Sequence, residues 1–347
     1  MTGEPDRHGD SLDASIVIPT CNRRDILARC LSALVKQTCP SYEIIVVDDY
    51  STDDTAAMLD NFAAQHPQVK FRWLRNEQHL GINPSRNRGI QAARGEFVAF
   101  LDSDCIAERD WLEKLLAGFT SPRVAAVVGR VDDPPARNIY ELALSGVARV
   151  HGSGPAPRLV GGNLAVRRSI LLEYGFDEDA RWKSPIKNGV VQSPVCDEES
   201  LFLTLRAAGY EQRVVPDAAV LHMHPYDRAA FLKQALAGGR GAAYLVHKYY
   251  LPHRIDLLPW MLTYLTAPLA VFGYQYAAIP AAFMLAALAA VAYNEIARKG
   301  KTPGQLIRCY PALFIYYQLR LIAYVSETIR LKLGLRPAQR IRLKGAR

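Results

Sequence analysis

Three apolar runs, each ending in polar or acidic residues, constrain this chain most: SIVIPT (15–20), YEIIVVDD (42–49) and EFVAFLD (96–102). Near-continuous apolar runs of this length belong to strands covered on both faces of a sheet, whereas half-exposed strands alternate. Between the runs the period changes. Ile26, Leu27, Cys30, Leu31, Leu34 and Val35 recur at helical spacing, and Ser51-Thr52-Asp53-Asp54 offers cap residues to a helix running to about Gln65. VKFRWL, a helix from Pro84 to Arg94, a helix after Arg109 and VAAVVG continue the alternation. Strands separated by helices imply an open, mostly parallel α/β sheet with flanking helices and right-handed crossovers. Such sheets bind ligands at the carboxyl ends of their strands. Pro19-Thr20, Asp48-Asp49 and Asp102-Ser103-Asp104 fall at those ends.

The rest of the chain is organised differently. From Asn138 to Pro225 the pattern is less regular, with GGNLAVRRS, a loop from Trp182 to Pro194 and a helix CDEESLFLTLRAAGY, before a long helical stretch from Asp227 to Tyr250. The 38 residues from Leu257 to Asn294 carry no Asp, Glu, Lys or Arg. One membrane span needs about 20 residues, so this run predicts a hairpin of two short membrane helices turning near Phe272-Gly273-Tyr274. Arg254 precedes the run, and Arg298, Lys299 and Lys301 follow it; positive flanks place both ends in the cytoplasm. ALFIYYQLRLIAYVSETIRLKLGL then predicts an amphipathic helix, and Arg336, Arg340, Arg342, Lys344 and Arg347 a basic tail suited to an anionic leaflet. The expected units are a disordered terminus (1–13), an α/β domain (14–250), a hydrophobic hairpin (251–300) and the amphipathic helix with its tail (301–347).

Of the formal charge of +8, the excess lies after Leu251, where basic residues outnumber acidic ones thirteen to three. That pattern argues for lipid and against nucleic acid, which usually meets basic charge across a folded face. Six cysteines without a C-x-x-C pair read as reduced thiols. The polar first fourteen residues hold no apolar stretch, so the expected location is the cytoplasmic face of the plasma membrane, with attachment through the C-terminal region.

Asp102 and Asp104, one residue apart at a strand end, suit a hard cation such as Mg²⁺ or Mn²⁺ completed by phosphate oxygens; a turn and cap would explain them equally. Asp49 could accept hydrogen bonds from a base or ribose, and Arg23 could neutralise phosphate. Asp197-Glu198-Glu199 opens a helix, where acids oppose the macrodipole, and could instead supply a general base. His222 and His224, one residue apart in an extended segment, could reach the same cation. No G-x-G-x-x-G follows the first run and no Walker-type glycine loop is present, which excludes the dinucleotide and P-loop readings of such a sheet.

Five ordered blocks, SIVIPTCNRRDILARCLSALVKQ, EIIVVDDYSTDDT, RNEQHLGINPSRNRGIQAARGEFVAFLDSD, GGNLAVRRSILLEYGFDE and DEESLFLTLRAAGY, resemble the family-2 glycosyltransferases of GT-A fold. The resemblance covers about 15–250. It implies inverting transfer of a sugar from a nucleoside diphosphate sugar to an acceptor hydroxyl, on a lipid-linked or cell-envelope glycan. It further implies that Pro19, Thr20 and Asp49 hold the nucleoside, with Arg23 and Arg86 near the base or diphosphate. Asp104 would bind the metal, Asp102 touch ribose or a metal water, Gly161, Gly162 and Asn163 line the donor sugar, and His222 add a ligand. The base falls on Glu198, with Asp197 and Glu199 as rivals. A sugar-phosphate nucleotidyltransferase and a non-catalytic, membrane-tethered nucleotide-sugar binder are the alternatives.

Overall fold

The computed structural model describes residues 12–146, 154–155, 161–178, 182–183, 191–192, 197–223, 227–249, 258–272 and 277–334. The expected disordered terminus lies almost wholly outside them. So do the turn at Gly273-Tyr274, His224, Arg254 and the basic tail.

Through Asp132 the elements are β1 (Ala14–Thr20), α1 (Arg24–Leu34), β2 (Tyr42–Asp48), α2 (Thr55–Gln65), β3 (Lys70–Arg75), α3 (Ile82–Ala92), β4 (Phe97–Leu101), β5 (Cys105–Ala107), α4 (Trp111–Leu116) and β6 (Val124–Asp132). Then follow α5 (Ile139–Leu144), β7 (Gly154–Pro155), β8 (Asn163–Arg167), α6 (Arg168–Tyr174), a two-residue ladder of β9 (Trp182–Lys183) with β10 (Val191–Gln192), α7 (Asp197–Ala207) and β11 (Glu211–His222). The main sheet has nine strands in the order β3-β2-β1-β4-β8-β6-β11-β5, with β7 also on β11. Every residue of β1 is buried, as an apolar run between two parallel neighbours requires. Gly89 lets α3 lie close on this strand, since a Cβ there would stand 2.3 Å from Val17.

The half β3-β2-β1-β4 is parallel as the apolar runs predict. The other half is mixed. β8, from the GGNLAVRRS block, inserts antiparallel between β4 and β6, and β5 pairs antiparallel with β11. No local pattern announces this, because β8 joins two strands far from it in sequence.

The C-terminal helices build a core of their own. α8 (Arg228–Tyr249), α9 (Leu258–Thr266), a 3-10 segment (Ala267–Phe272), α10 (Ala278–Tyr293), a π-helical turn (Asn294–Arg298) and α11 (Pro303–Lys332) follow in order. Phe231, Tyr244, Trp260, Val291, Leu313 and Tyr317 pack together there with Leu142 of α5. Thr302 starts α11 with a reciprocal capping box to Gln305. α9 and α10 pack on each other, but α9 has nine residues, and among the described residues one helix, Ala278–Arg298, is long and apolar enough to cross a membrane. Two apolar helices thus stand where the hairpin is expected, and one of them passes the length and composition of a span. The positive flank changes. Lys299 and Lys301 turn inward onto the buried Glu295, at 2.6 and 2.8 Å, and Lys301 reaches Ser145 O as well. Only Arg298 of the three cations stays exposed. The outer faces of these helices are apolar, with Leu265, Val271, Leu285, Ile307, Ile322 and Ile329 exposed.

Candidate active site

The site forms where β1, β4 and β11 end. β4 stops at Leu101, and the chain turns at once: Cys105 N–H donates to Asp102 O, closing a four-residue turn. The turn aims Asp102 and Asp104 away from the sheet. β11 runs back past it, and Met223 N–H donates to Asp104 O at 2.7 Å, which fixes His222 beside the turn. Asp104 is buried. Its Oδ2 accepts from Arg23 Nη1 at 2.6 Å, and its Oδ1 lies 3.5 Å from His222 Nε2. Arg23 comes from the loop after β1, whose partner loop it shares: Asn22 accepts from Thr52 and Asp53 N–H groups and donates its own N–H to Ser51.

Arg86 joins the two acidic clusters. From α3, with its side chain 1% exposed, it sends Nη2 to Asp102 Oδ1 at 3.3 Å and Nη1 to Glu198 Oε1 at 3.1 Å. Its guanidinium lies over the Phe176 ring, 5.1 Å from the centroid. Acids 96 positions apart in the chain thus share one cation. Gly161 is the residue that this convergence requires, since a Cβ there would stand 1.9 Å from Glu198 Oε1. Burial pushes the Asp102 carboxyl up; Arg86 pulls it back, and Asp104 and Glu198 push it up again. Burial opposes charge on His222, but the hydrogen bond and charge of Asp104, with Asp102 and Asp133, outweigh it and raise its pKa above the ordinary 6.5.

α7 is anchored from behind. Lys248 and Tyr244 of α8 meet Asp177, Ser200 of α7 donates to the same carboxylate, and Tyr249 pairs with Ser200. Glu199 is partly buried on the same helix turn; the side chain of Asp197 lies outside the described set.

Not every expected residue serves the site in the expected way. Asn163 is fully buried beneath it, accepting from Trp111 Nε1 and donating to Arg130 O and Ala218 O, all at 2.8 Å. Its amide ties β8 to its neighbours. Asp49 is spent on its own loop: it accepts from Asn76 Nδ2 and from the Leu80 and Gly81 N–H groups, and faces His79 Nδ1 at 2.8 Å. A carboxylate offers about four acceptor sites, so this one has little left for a nucleoside. Thr20 and Pro19 are buried at the end of β1, and among the described residues Thr20 Oγ1 has no hydrogen-bond partner. Gly162 lies against Asp102.

Sequence reading missed Cys105, Asp133 and Phe176. Asp133 stands 4.0 Å from His222 Nδ1 and accepts from Gly146 N–H. At that separation Asp133 acts on the imidazole through its charge. Only strand pairing reveals this neighbour, although the doubled acid after VVGRV was a visible signal. For a cation, the donor set is apt: Asp104 and Asp102 offer hard oxygen, His222 an imidazole nitrogen, and Gly162 leaves space where a Cβ would stand 3.0 Å from Asp102 Oδ2.

Comparison with known proteins agrees with this frame. Glycosyltransferase AglE of Haloferax volcanii is 32% identical over 120 residues, 34% of this chain and 39% of its own. A GalNAc(5)-diNAcBac-PP-undecaprenol beta-1,3-glucosyltransferase of Campylobacter jejuni is 37% identical over 90 residues, 26% of this chain and 29% of its own. The chain thus spans well under half of these relatives. The mannosyltransferase PcManGT of Pyrobaculum calidifontis, solved in complex with GDP-Man and Mn²⁺, superposes over 93% of this chain and 88% of its own with a TM-score of 0.58 at 21% identity, which identifies the GT-A fold. The profile of glycosyl transferase family 2 matches residues 15–174 and that of glycosyl transferase family group 2 matches residues 97–319. With the second match covering well over half of the sequence and including the Asp102–Asp104 turn, Gly161, Glu198 and His222, the chain belongs to the family-2 glycosyltransferases.

Proposed function

We propose that this protein transfers a sugar, with inversion, from a nucleoside diphosphate sugar to a hydroxyl of a lipid-linked or cell-envelope glycan at the cytoplasmic face of the membrane. The observation that carries the reading is Arg86, whose guanidinium holds Asp102 and Glu198 within one site. In-line displacement needs a base on the acceptor side and positive charge on the leaving-group side, and these two groups stand on either side of one buried cation. Glu198 takes the acceptor proton, a role worth about 10²–10⁴-fold; Asp197 and Glu199 are the rival carboxylates. Arg23, partly exposed beside Asp104, turns to the diphosphate. The buried Thr20 hydroxyl supplies a nucleoside contact, while Asp49 holds the loop that frames it. Asp104, Asp102 and His222 would hold Mg²⁺ or Mn²⁺. Such an ion supplies Lewis-acid stabilisation of charge on the departing diphosphate. Asp133 adds negative charge beside the His222 ring.

The membrane part of the proposal draws on the apolar outer face of α9 to α11 and on the undecaprenol-linked substrate named for the Campylobacter relative. Detergent-solubilised protein supplied with Mn²⁺ and a panel of nucleotide sugars should release nucleoside diphosphate. Glu198→Gln and Asp104→Ala should each lose at least about 100-fold of that activity, the lower end of a base's worth. Full activity in both variants refutes the assignment, and release of pyrophosphate makes the protein a nucleotidyltransferase instead.

A further inference from the structure

The turn that aims Asp104 also delivers a sulfur. Cys105 opens β5, and its register partner across the antiparallel β5–β11 ladder is His222. Residues directly opposed in antiparallel strands project to the same face, with Cβ atoms about 4.5–5.5 Å apart. The Asp104 carboxylate, Cys105 Sγ and His222 imidazole accordingly gather within 4.8 Å of one another, the one such trio found among the described residues. Cys105 is fully buried. It borders the space left open by Gly162, where a Cβ would stand 3.4 Å from the sulfur. Its surroundings also differ from those of the other described cysteine beside an imidazole: Cys21 lies 3.7 Å from His79 Nδ1, but His79 is engaged with Asp49.

We propose that Cys105 is a ligand of the cation held by Asp104 and His222, so that the centre is a carboxylate–imidazole–thiolate set that prefers borderline-soft ions such as Zn²⁺ and Co²⁺ over Mg²⁺ and Mn²⁺. The proposal rests on the metal site of the preceding section. Carboxylate oxygens suit Mg²⁺ and Mn²⁺, whereas thiolate selects softer ions, and His222 serves either. Binding breaks the Cys105 S–H bond, forms a sulfur–metal bond and releases one proton to the buffer for each ion bound. This assigns Cys105 to the choice of ion, while Asp102 remains the oxygen donor on the substrate side.

Co²⁺ added to the full-length, solubilised protein should produce an intense near-ultraviolet thiolate-to-cobalt band. The band should persist in Cys21→Ser and vanish in Cys105→Ser and Cys105→Ala. The ratio of Zn²⁺ to Mn²⁺ affinity, measured by competition, should fall at least about tenfold in Cys105→Ser, a scale that even lost outer-shell partners reach. Wild-type protein loaded with one equivalent of Zn²⁺ needs no variant: its zinc-edge X-ray absorption should contain a sulfur shell near 2.3 Å. Cobalt binding without the band, a band that survives both Cys105 variants, or a zinc shell of oxygen and nitrogen alone overturns the role of Cys105 and leaves the metal site standing. Failure of Co²⁺, Zn²⁺ and Mn²⁺ to bind at all overturns the metal site itself.

Discussion

Replacing Arg86 by Met keeps most of the side chain's length and removes its charge, leaving Asp102 and Glu198 facing each other across an apolar gap. A pair of unit charges near 3 Å carries about 5 kcal/mol at an effective dielectric constant of about 20, before desolvation is subtracted. Breaking one buried pair costs about 3–5 kcal/mol in practice. Both carboxylates keep a solvent edge, at 30% and 22% side-chain exposure, which puts the loss near 3 kcal/mol, the lower end of that range. Urea unfolding at neutral pH should show the midpoint falling with an unchanged slope, the signature of lost stability in an otherwise intact fold. The loss should shrink as pH falls, because Asp102, already pushed up by burial, protonates and no longer needs the cation. Adding Glu198→Gln to Arg86→Met should restore part of the loss, since one of the unpaired charges is gone. A loss below about 1 kcal/mol, the range of surface ion pairs, or strict additivity of the two substitutions, would show that Arg86 does not hold the acidic clusters together.

Three further outcomes follow from the same geometry. Asn163→Ala strands Trp111 Nε1 and two carbonyls in the core and should cost about 3 kcal/mol in urea unfolding, while nucleotide affinity of the folded fraction, read by calorimetry, stays unchanged. Glu295→Gln leaves Lys299 and Lys301 without their shared carboxylate and should destabilise by about 3 kcal/mol, seen as earlier melting of the detergent-solubilised protein. In metal-free protein, the raised His222 pKa contributes stability that is fully present below pH 6.5 and is lost as pH rises through the raised value; urea midpoints across that window should fall in wild type relative to His222→Asn.

Much of this site was legible because a charged residue at the end of a buried apolar run is locally out of place. Asp102 and Asp104 stand out after EFVAFLD, and the structure keeps them at a strand end, with Asp104 buried and Asp102 half-buried. The parallel half of the sheet was legible for the same reason, since burial on both faces imprints a continuous run. β8 was not, because its neighbours β4 and β6 are set by a long excursion of chain that no local period records. Lys299 and Lys301 were misread as membrane flanks because residue type fixes charge and not the direction in which a long side chain turns.

Asp49 and Asn163 resemble ligand-binding residues in every property that sequence displays. What separates them from Thr20 is a count of partners. Asp49 has three donors and an imidazole on its two oxygens, so it cannot take up a ligand without abandoning a buried group at a cost of about 1–3 kcal/mol, while Asn163 makes three bonds from its amide and keeps one acceptor site on its oxygen. The Thr20 hydroxyl is buried at the same strand edge with no protein partner among the described residues, and it bears that cost until a partner arrives. A ligand therefore gains a full hydrogen bond at Thr20 and only a competing one at Asp49. For this reason Thr20→Val should weaken nucleotide binding while raising the stability of the ligand-free protein, whereas Asp49→Asn should lower stability with little effect on affinity; equal effects of both substitutions on affinity would break the argument.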